Sequence, residues 1–201
     1  MGEQGFILSD YSTAIEEQIR DSINVKKALA DDVKQIEIIA RISDAIASCY
    51  RSGNKVILMG NGGSAADAQH IAGELVGKFQ MERKALPAIA LNVNTSILTA
   101  VGNDYDFDRV FIRQVDAFAN PGDVVIGIST SGNSSNVIIA VERAKEKGSF
   151  IVAFTGEQGG KLATVADICL KAPSNSTPRI QETHITAGHI ICGIVERVLF
   201  G

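Results

Sequence analysis

Nowhere does this sequence gather lysine and arginine into a run. Its 19 basic residues are spread among 23 acidic ones, which leaves no electrostatic footprint for nucleic acid or an anionic membrane surface. No apolar stretch approaches the ~18 residues that would suggest a membrane span. The opening Met1-Gly2-Glu3-Gln4-Gly5-Phe6 lacks a basic segment followed by an apolar one, and Phe6 stands where a myristoylation signal wants Ser or Thr. No targeting segment is expected. Cysteine is scarce and odd in number: Cys49, Cys169 and Cys192 are widely spaced, form no C-x-x-C pair and sit in apolar surroundings. That usage fits reduced, buried thiols in a cytoplasmic protein better than a disulfide framework. Repeats, low-complexity tracts and composition shifts are absent too. Residues 1–201 therefore read as a single domain, with 1–53 a helical N-terminal segment and 54–201 an α/β core large enough to do without a disulfide or structural metal.

What is present is an alternation of periods. From Asp10 to Arg51, Ile15, Ile19 and Ile23, then Val33, Ile36, Ile39, Ile42 and Ile46, recur at helical spacing. This predicts two helices parted near Ala30-Asp31, with Asp31-Asp32 capping the second and Ser52-Gly53-Asn54 ending it. The segment carries no obvious chemistry, and its expected task is packing against the sheet or another subunit. Beyond it, apolar runs at Val56–Met59, Ala88–Leu91, Val124–Ile128, Phe150–Phe154 and Ile168–Leu170 alternate with helical stretches at about 65–80, 96–119, 135–148 and 178–200. Pro87, Pro121-Gly122-Asp123, Gly148 and Gly159-Gly160 read as turn residues between them. Continuous apolar strands alternating with helices imply a doubly wound α/β fold, a parallel five-stranded sheet in flavodoxin-like order covered on both faces.

Two loops concentrate the polar chemistry. Gly60-Asn61-Gly62-Gly63-Ser64 follows the first strand, and Ser129-Thr130-Ser131-Gly132-Asn133-Ser134 follows the third. Each opens a helix, whose N-terminal amides and dipole favour an anion. Gly62 and Gly63 let the backbone approach an oxygenated ligand, Asn61 offers an amide, and Ser64 can cap the helix and donate a hydroxyl. Ser129, Thr130, Ser131 and Ser134 can together satisfy several phosphate oxygens. Glycine turns and Ser/Thr caps also occur for geometry alone. Neither loop has the Lys-Ser/Thr ending of a nucleotide-phosphate loop or a complete G-x-G-x-x-G, and Asn92 rather than an acid closes the second strand. A small phosphorylated ligand is expected, and no nucleotide cofactor.

The three histidines fall in two helices. Asp67, His70 and Glu74 lie on the helix after the first loop, and His70 and Glu74, four residues apart, share a face opposite Ile71, Leu75, Val76 and Phe79. Such a pair suits metal ligation or acid/base work, and equally an ordinary exposed surface. In the last helix, Thr177-Pro178 supplies a cap and first-turn proline, and Gln181, Glu182, His184 and His189 interrupt an apolar pattern of Ile180, Ile185, Ile190, Ile191 and Ile194. A histidine so placed is a hydrogen-bonded core group or a catalyst.

Taken together, the segments Gly60–His70, Ala100-Val101-Gly102-Asn103-Asp104-Tyr105, Ser129–Ser134, and Arg179–His184 with Gly188-His189 resemble the sugar isomerase (SIS) family, and within it the phosphoheptose isomerases. The resemblance spans nearly the whole chain. It implies conversion of sedoheptulose 7-phosphate to D-glycero-D-manno-heptose 7-phosphate through an enediol, at the start of nucleotide-heptose synthesis for glycans such as lipopolysaccharide. It carries an acid/base pair onto Glu74 and His189, and zinc ligands onto His70, Glu74, Gln181 and His189. Substrate contacts fall on Asn61, Gly62, Gly63, Glu74, Asn103, Asp104, Ser129, Thr130, Ser131, Ser134 and Gln181. It further implies a homotetramer with active sites at subunit interfaces.

Two departures stand out. Asn133-Ser134-Ser135-Asn136 replaces Lys-Ser-Pro-Asn, removing a cation near the phosphate while keeping Ser134, and Asp106 replaces glycine, a change expected to affect a loop only. A rival within the family is a non-catalytic DnaA-binding initiator-associating protein, which lacks the equivalents of Glu74 and His189; this chain keeps both. Sugar-phosphate sensors fused to DNA-binding domains carry a helix-turn-helix extension that is absent from this sequence.

Overall fold

The computed structural model describes residues 8–201, so the expectation about Met1–Phe6 lies outside the described residues. Two helices come first, α1 (Leu8–Asp31) and α2 (Val33–Arg51). Asp32 alone separates them: its backbone is extended, and its carboxylate accepts from the Lys34 and Gln35 amides at 3.0 and 3.2 Å. Gly53, at a φ of +80°, turns the chain out of α2. The apolar residues expected to face inward divide within α2: Ile39, Ile42 and Ile46 are buried, whereas Ile15, Ile19 and Ile23 of α1 and Val33 and Ile36 at the start of α2 are exposed.

The core contains β1 (Val56–Gly60), α3 (Gly63–Val76), β2 (Ala88–Ala90), α4 (Thr95–Asp104), a 3-10 turn (Phe107–Arg109), α5 (Ile112–Phe118), β3 (Val124–Ser129), α6 (Ser135–Glu146), β4 (Phe150–Thr155), α7 (Gly160–Val165), β5 (Ile168–Lys171) and α8 (Thr177–Phe200). All strand pairings are parallel, in the order β2-β1-β3-β4-β5, the expected flavodoxin-like order. Successive side chains of each strand enter opposite layers. Val56 and Leu58 join Ile42, Ile71, Leu75, Ile191 and Val195 beneath α2, α3 and α8. Ile57 and Met59 join Val110, Val115, Val137, Val141 and Leu162 beneath α5, α6 and α7. Three layers result.

The structure corrects several expected boundaries. The helical stretch anticipated at 96–119 is broken after Asp104, because Asp106 turns extended and its carboxylate accepts from the Arg109 amide at 3.0 Å, starting the 3-10 turn. The residue standing in place of glycine is thus a local cap. The helix expected to reach position 80 ends at Val76, since the next amides are drawn to α8. A short helix, α7, opens at Gly159-Gly160, two positive-φ residues that read as a simple turn. Ser64 does not cap α3: Gly62 holds that position at a φ of +56°, and Ser64 is buried within the first turn. Ser176, not Thr177, occupies the cap of α8.

Candidate active site

β1 and β3 are neighbours, with Gly60 opposite Ile128, and strand order reverses between them. Both polar loops therefore leave the carboxyl edge of the sheet at its switch point, where the helices on either side diverge and leave a crevice. Gly60 is required by space, since a Cβ there would meet Ser64 Cβ at 2.8 Å and the Ile128 carbonyl at 2.9 Å. The loop is tied to α6 by a reciprocal amide pair: Asn61 Nδ2 donates to Asn136 Oδ1 at 2.8 Å, and Asn136 Nδ2 donates back at 3.0 Å. Across the crevice, the Ser129 and Ser134 hydroxyls are 2.9 Å apart, and Ser131 Oγ accepts from the Asn133 amide at 3.1 Å. Ser134 thus turns inward to Ser129 and makes no side-chain cap for α6. Thr130, Ser131, Asn133, Gly156, Asn175 and Thr177 line a cavity of about 300 Å³ beside this loop, large enough for a small sugar phosphate.

The second cluster lies in the seam between α3 and α8. Gly188 allows the approach, because a Cβ there would come within 2.7 Å of Ile71 Cδ1. Across the seam His189 Nε2 lies 3.0 Å from His70 Nε2, which lies 3.0 Å from Glu74 Oε1. The sequence separation of the two histidines is 119 residues. One ligand atom from each of His70, Glu74 and His189 falls within 4.8 Å of the others. Phe79 stacks on the His189 ring with centroids 5.5 Å apart and planes 17° from parallel. His70 is half-exposed and Glu74 partly buried, so the cluster opens to a ligand. A tetrahedral ion with ligands at about 2.0–2.2 Å sets those atoms roughly 3–3.5 Å apart. Two imidazole nitrogens and a carboxylate oxygen, two of the contacts at 3.0 Å, are a donor set that suits a divalent cation; without one, the single His70 Nε2 faces both neighbours and has one proton or one lone pair to share between them.

Neighbouring polar groups are set differently. Asp67, one turn before His70, has a buried oxygen without a partner, and burial pushes its carboxyl up to about 6 against the opposing pull of His70. His184 is the hydrogen-bonded core histidine: it is fully buried, its Nε2–H donates to the Thr155 carbonyl at 2.9 Å, and its Nδ1 has no partner. Burial pushes its imidazole down to about 4, partly offset by that carbonyl.

The remaining expected positions are not gathered in one place within the chain. The Gln181 amide lies against Gly63 at the start of α3. Eight residues of α8 separate it from His189, about 12 Å of helical rise. Asn103 and Asp104 sit exposed on the last turn of α4, joined to each other at 2.9 Å. Sequence reasoning missed Asn136, Phe79, Arg83 and Glu196, whose partners are distant in the chain; a polar residue inside the helical face that α6 buries was the available signal for Asn136.

The chain belongs to the SIS-domain family, whose model matches residues 21–156. It is 52% identical to a phosphoheptose isomerase of Aneurinibacillus thermoaerophilus over 96% of both chains, and 56% identical to one of Geobacter over 92% of this chain and 96% of the relative. The structure of a phosphoheptose isomerase from Francisella tularensis superposes with a TM-score of 0.89 at 38% identity, covering 93% of this chain and 98% of the other. One from Neisseria gonorrhoeae gives 0.87 at 40% identity, covering 93% and 99%. Within the family, these full-length similarities set the chain among the phosphoheptose isomerases.

Proposed function

We propose that this protein is an aldose–ketose isomerase that converts sedoheptulose 7-phosphate to D-glycero-D-manno-heptose 7-phosphate, supplying heptose for glycan synthesis. The observation that carries the reading is the meeting of Glu74 and His189, through His70, across the α3–α8 seam. Full-length similarity to phosphoheptose isomerases supports the same substrate. The retained pair argues against the non-catalytic DnaA-binding relative.

In the proposed reaction the phosphate binds between the two loops, on the amides of Gly62 and Gly63 and the hydroxyls of Ser64, Ser129, Thr130, Ser131 and Ser134. Asn61, Asn103, Asp104 and Gln181 hold sugar hydroxyls. The Glu74 carboxylate takes a proton from C1 of the ketose, and its electron pair forms the C1–C2 double bond as His189 gives a proton to the C2 oxygen. His189 then recovers a proton from the C1 oxygen while Glu74 returns one to C2. The sum is a hydrogen shift with no net oxidation. Each such acid/base group typically contributes ~10²–10⁴-fold.

Zinc is the proposed metal, held by His70, Glu74 and His189; Gln181 lies about 12 Å along α8 from His189 in the same chain, so its proposed part as a fourth ligand would have to be played across the subunit interface. When bound it supplies Lewis acidity toward the substrate oxygens. A homotetramer is proposed as well, and the exposed Ile15, Ile19 and Ile23 of α1 support a subunit contact there. Residues 1–201 are taken as one SIS domain of a cytoplasmic enzyme; among the described residues no helix is long and apolar enough to cross a membrane. The deciding experiment incubates the purified protein with sedoheptulose 7-phosphate, with and without a chelator, and follows aldose formation. Aldose formation is expected, with loss of rate on chelation; no aldose under either condition overturns the reading.

A further inference from the structure

A second polar assembly lies just beyond the catalytic seam and has no part in the proposed chemistry. The side chains of Arg83 and Glu196 are each only 1% exposed and meet at 2.9 Å. Burial would raise the Glu196 carboxyl, but the Gln80 and Phe79 amides and the Arg83 guanidinium hold it below the usual carboxylate range. Its oxygens accept from the Phe79, Gln80 and Met81 amides at 2.8, 2.8 and 3.2 Å. Arg83 in turn donates to the carbonyls of Glu74, Leu75, Gly77 and Lys84 at 2.8 to 3.1 Å. The last carbonyls of a helix have no intrahelical donor; here a guanidinium supplies it, and its charge suits the negative end of the helix.

Three consequences converge on the catalytic groups. One carbonyl that Arg83 takes is that of Glu74 itself, so the backbone carrying the base is held from behind. Glu196 lies seven residues after His189 on the same helix, two turns away, so the ion pair fixes α8 against α3 next to the His70–His189 contact. By taking the Phe79 amide, Glu196 also ends α3 and brings the Phe79 ring onto His189.

We infer that Arg83 and Glu196 are positioning residues for isomerisation, a buried clamp that sets the separation and orientation of Glu74 and His189. The inference rests on the acid/base roles proposed for those two groups. A purely structural ion pair would change stability alone, whereas a misplacement of about 1 Å in reacting groups costs up to ~10²-fold in rate. The clamp touches neither phosphate loop, so substrate binding is predicted to be spared.

The test compares Glu196→Gln and Arg83→Lys with Asp123→Asn, which breaks another buried ion pair at the far edge of the sheet. Glu196→Gln replaces an acceptor oxygen with a donor facing other donors; Arg83→Lys keeps the charge but cannot span the carbonyls, and serves should the first variant not fold. Measured on the folded fraction, kcat with sedoheptulose 7-phosphate is expected to fall about 10–100-fold with KM within about threefold. The His189 ring-proton resonance, displaced by the stacked Phe79 ring, is expected to move toward its unstacked position. Asp123→Asn is expected to lower Tm without either change. The inference is overturned if kcat and the His189 resonance stay at wild-type values in a folded clamp variant, or if Asp123→Asn reproduces both effects. Absence of turnover in the wild type would defeat the isomerase reading, while the resonance still reports whether the clamp positions His189.

Discussion

At the amino ends of the strands, Asp123 takes hydrogen bonds from the Lys55 and Asn120 amides and the Lys55 ammonium, at 3.0, 2.8 and 2.6 Å. Asp167 there takes the Ile151 amide and Lys145, each at 2.8 Å. At the carboxyl ends, and on the helices beside them, Asn92 Oδ1, Asp67 Oδ2, His184 Nδ1 and Arg179 Nε are buried without a partner. Among the described residues, the amino side has only the Tyr50 hydroxyl in that state. An unmatched buried polar atom costs about 1–3 kcal/mol. Such atoms gathered on one side, beside two hydroxyl- and glycine-rich loops, separate the half of the molecule that sets the frame from the half shaped by chemistry.

The sharpest break in that contrast is Glu74→Gln. Turnover is expected to fall by at least ~10²–10⁴-fold while a sugar phosphate still binds, as calorimetry can show, because the proposed base is lost and the loops are untouched. Asp123→Asn is the converse, since it leaves Lys55 without its partner. It is expected to reduce unfolding free energy by about 2–4 kcal/mol in urea titrations, with unchanged kcat/KM per folded molecule.

His184 gives a pH-dependent version. The unfolded imidazole takes up its proton near the ordinary 6.5, but the folded one only near 4. Its contribution is therefore fully present above pH 6.5 and lost as pH falls toward 4, on the order of 3 kcal/mol. Asp67, pushed up to about 6, has the opposite sign: its cost is relieved as pH falls. The readout is thus the difference between wild type and His184→Gln across that window, where the variant is expected to lack the His184 slope.

Smaller effects complete the series. Ser131→Ala is expected to weaken sugar-phosphate affinity by about 1–3 kcal/mol through loss of one donor to a charged group; an unchanged affinity would move the phosphate elsewhere. Asp32→Ala is expected to lower stability by about 1 kcal/mol with no change in rate, since it removes a cap far from the crevice.

Much of the frame was legible because it is written in local periods. The five apolar runs are the five strands, and their alternation with helices leaves few topologies open. The loops were legible for the same reason, being short segments whose composition departs from what strand or helix requires. Contacts between distant segments were not. Nothing around His70 or His189 specifies that their rings meet; that expectation came from resemblance to a family. Arg83 looks like one charge among several in an irregular stretch, and Glu196 like a solvated helix position, yet the pair is buried across 113 residues of sequence. The break after Asp104 carries no proline or glycine, and α7 is masked by two glycines that suggest a turn.

The reciprocal pair of Asn61 and Asn136 couples more than two side chains. Asn136 is buried on α6, the helix that begins at Ser135 directly after the serine loop, so the glycine loop and the serine loop share one latch. A guest that drew the Asn61 amide fully to itself would take from the buried Asn136 its side-chain partner. One static contact thus ties the position of the glycine loop to the start of the helix that the serine loop opens.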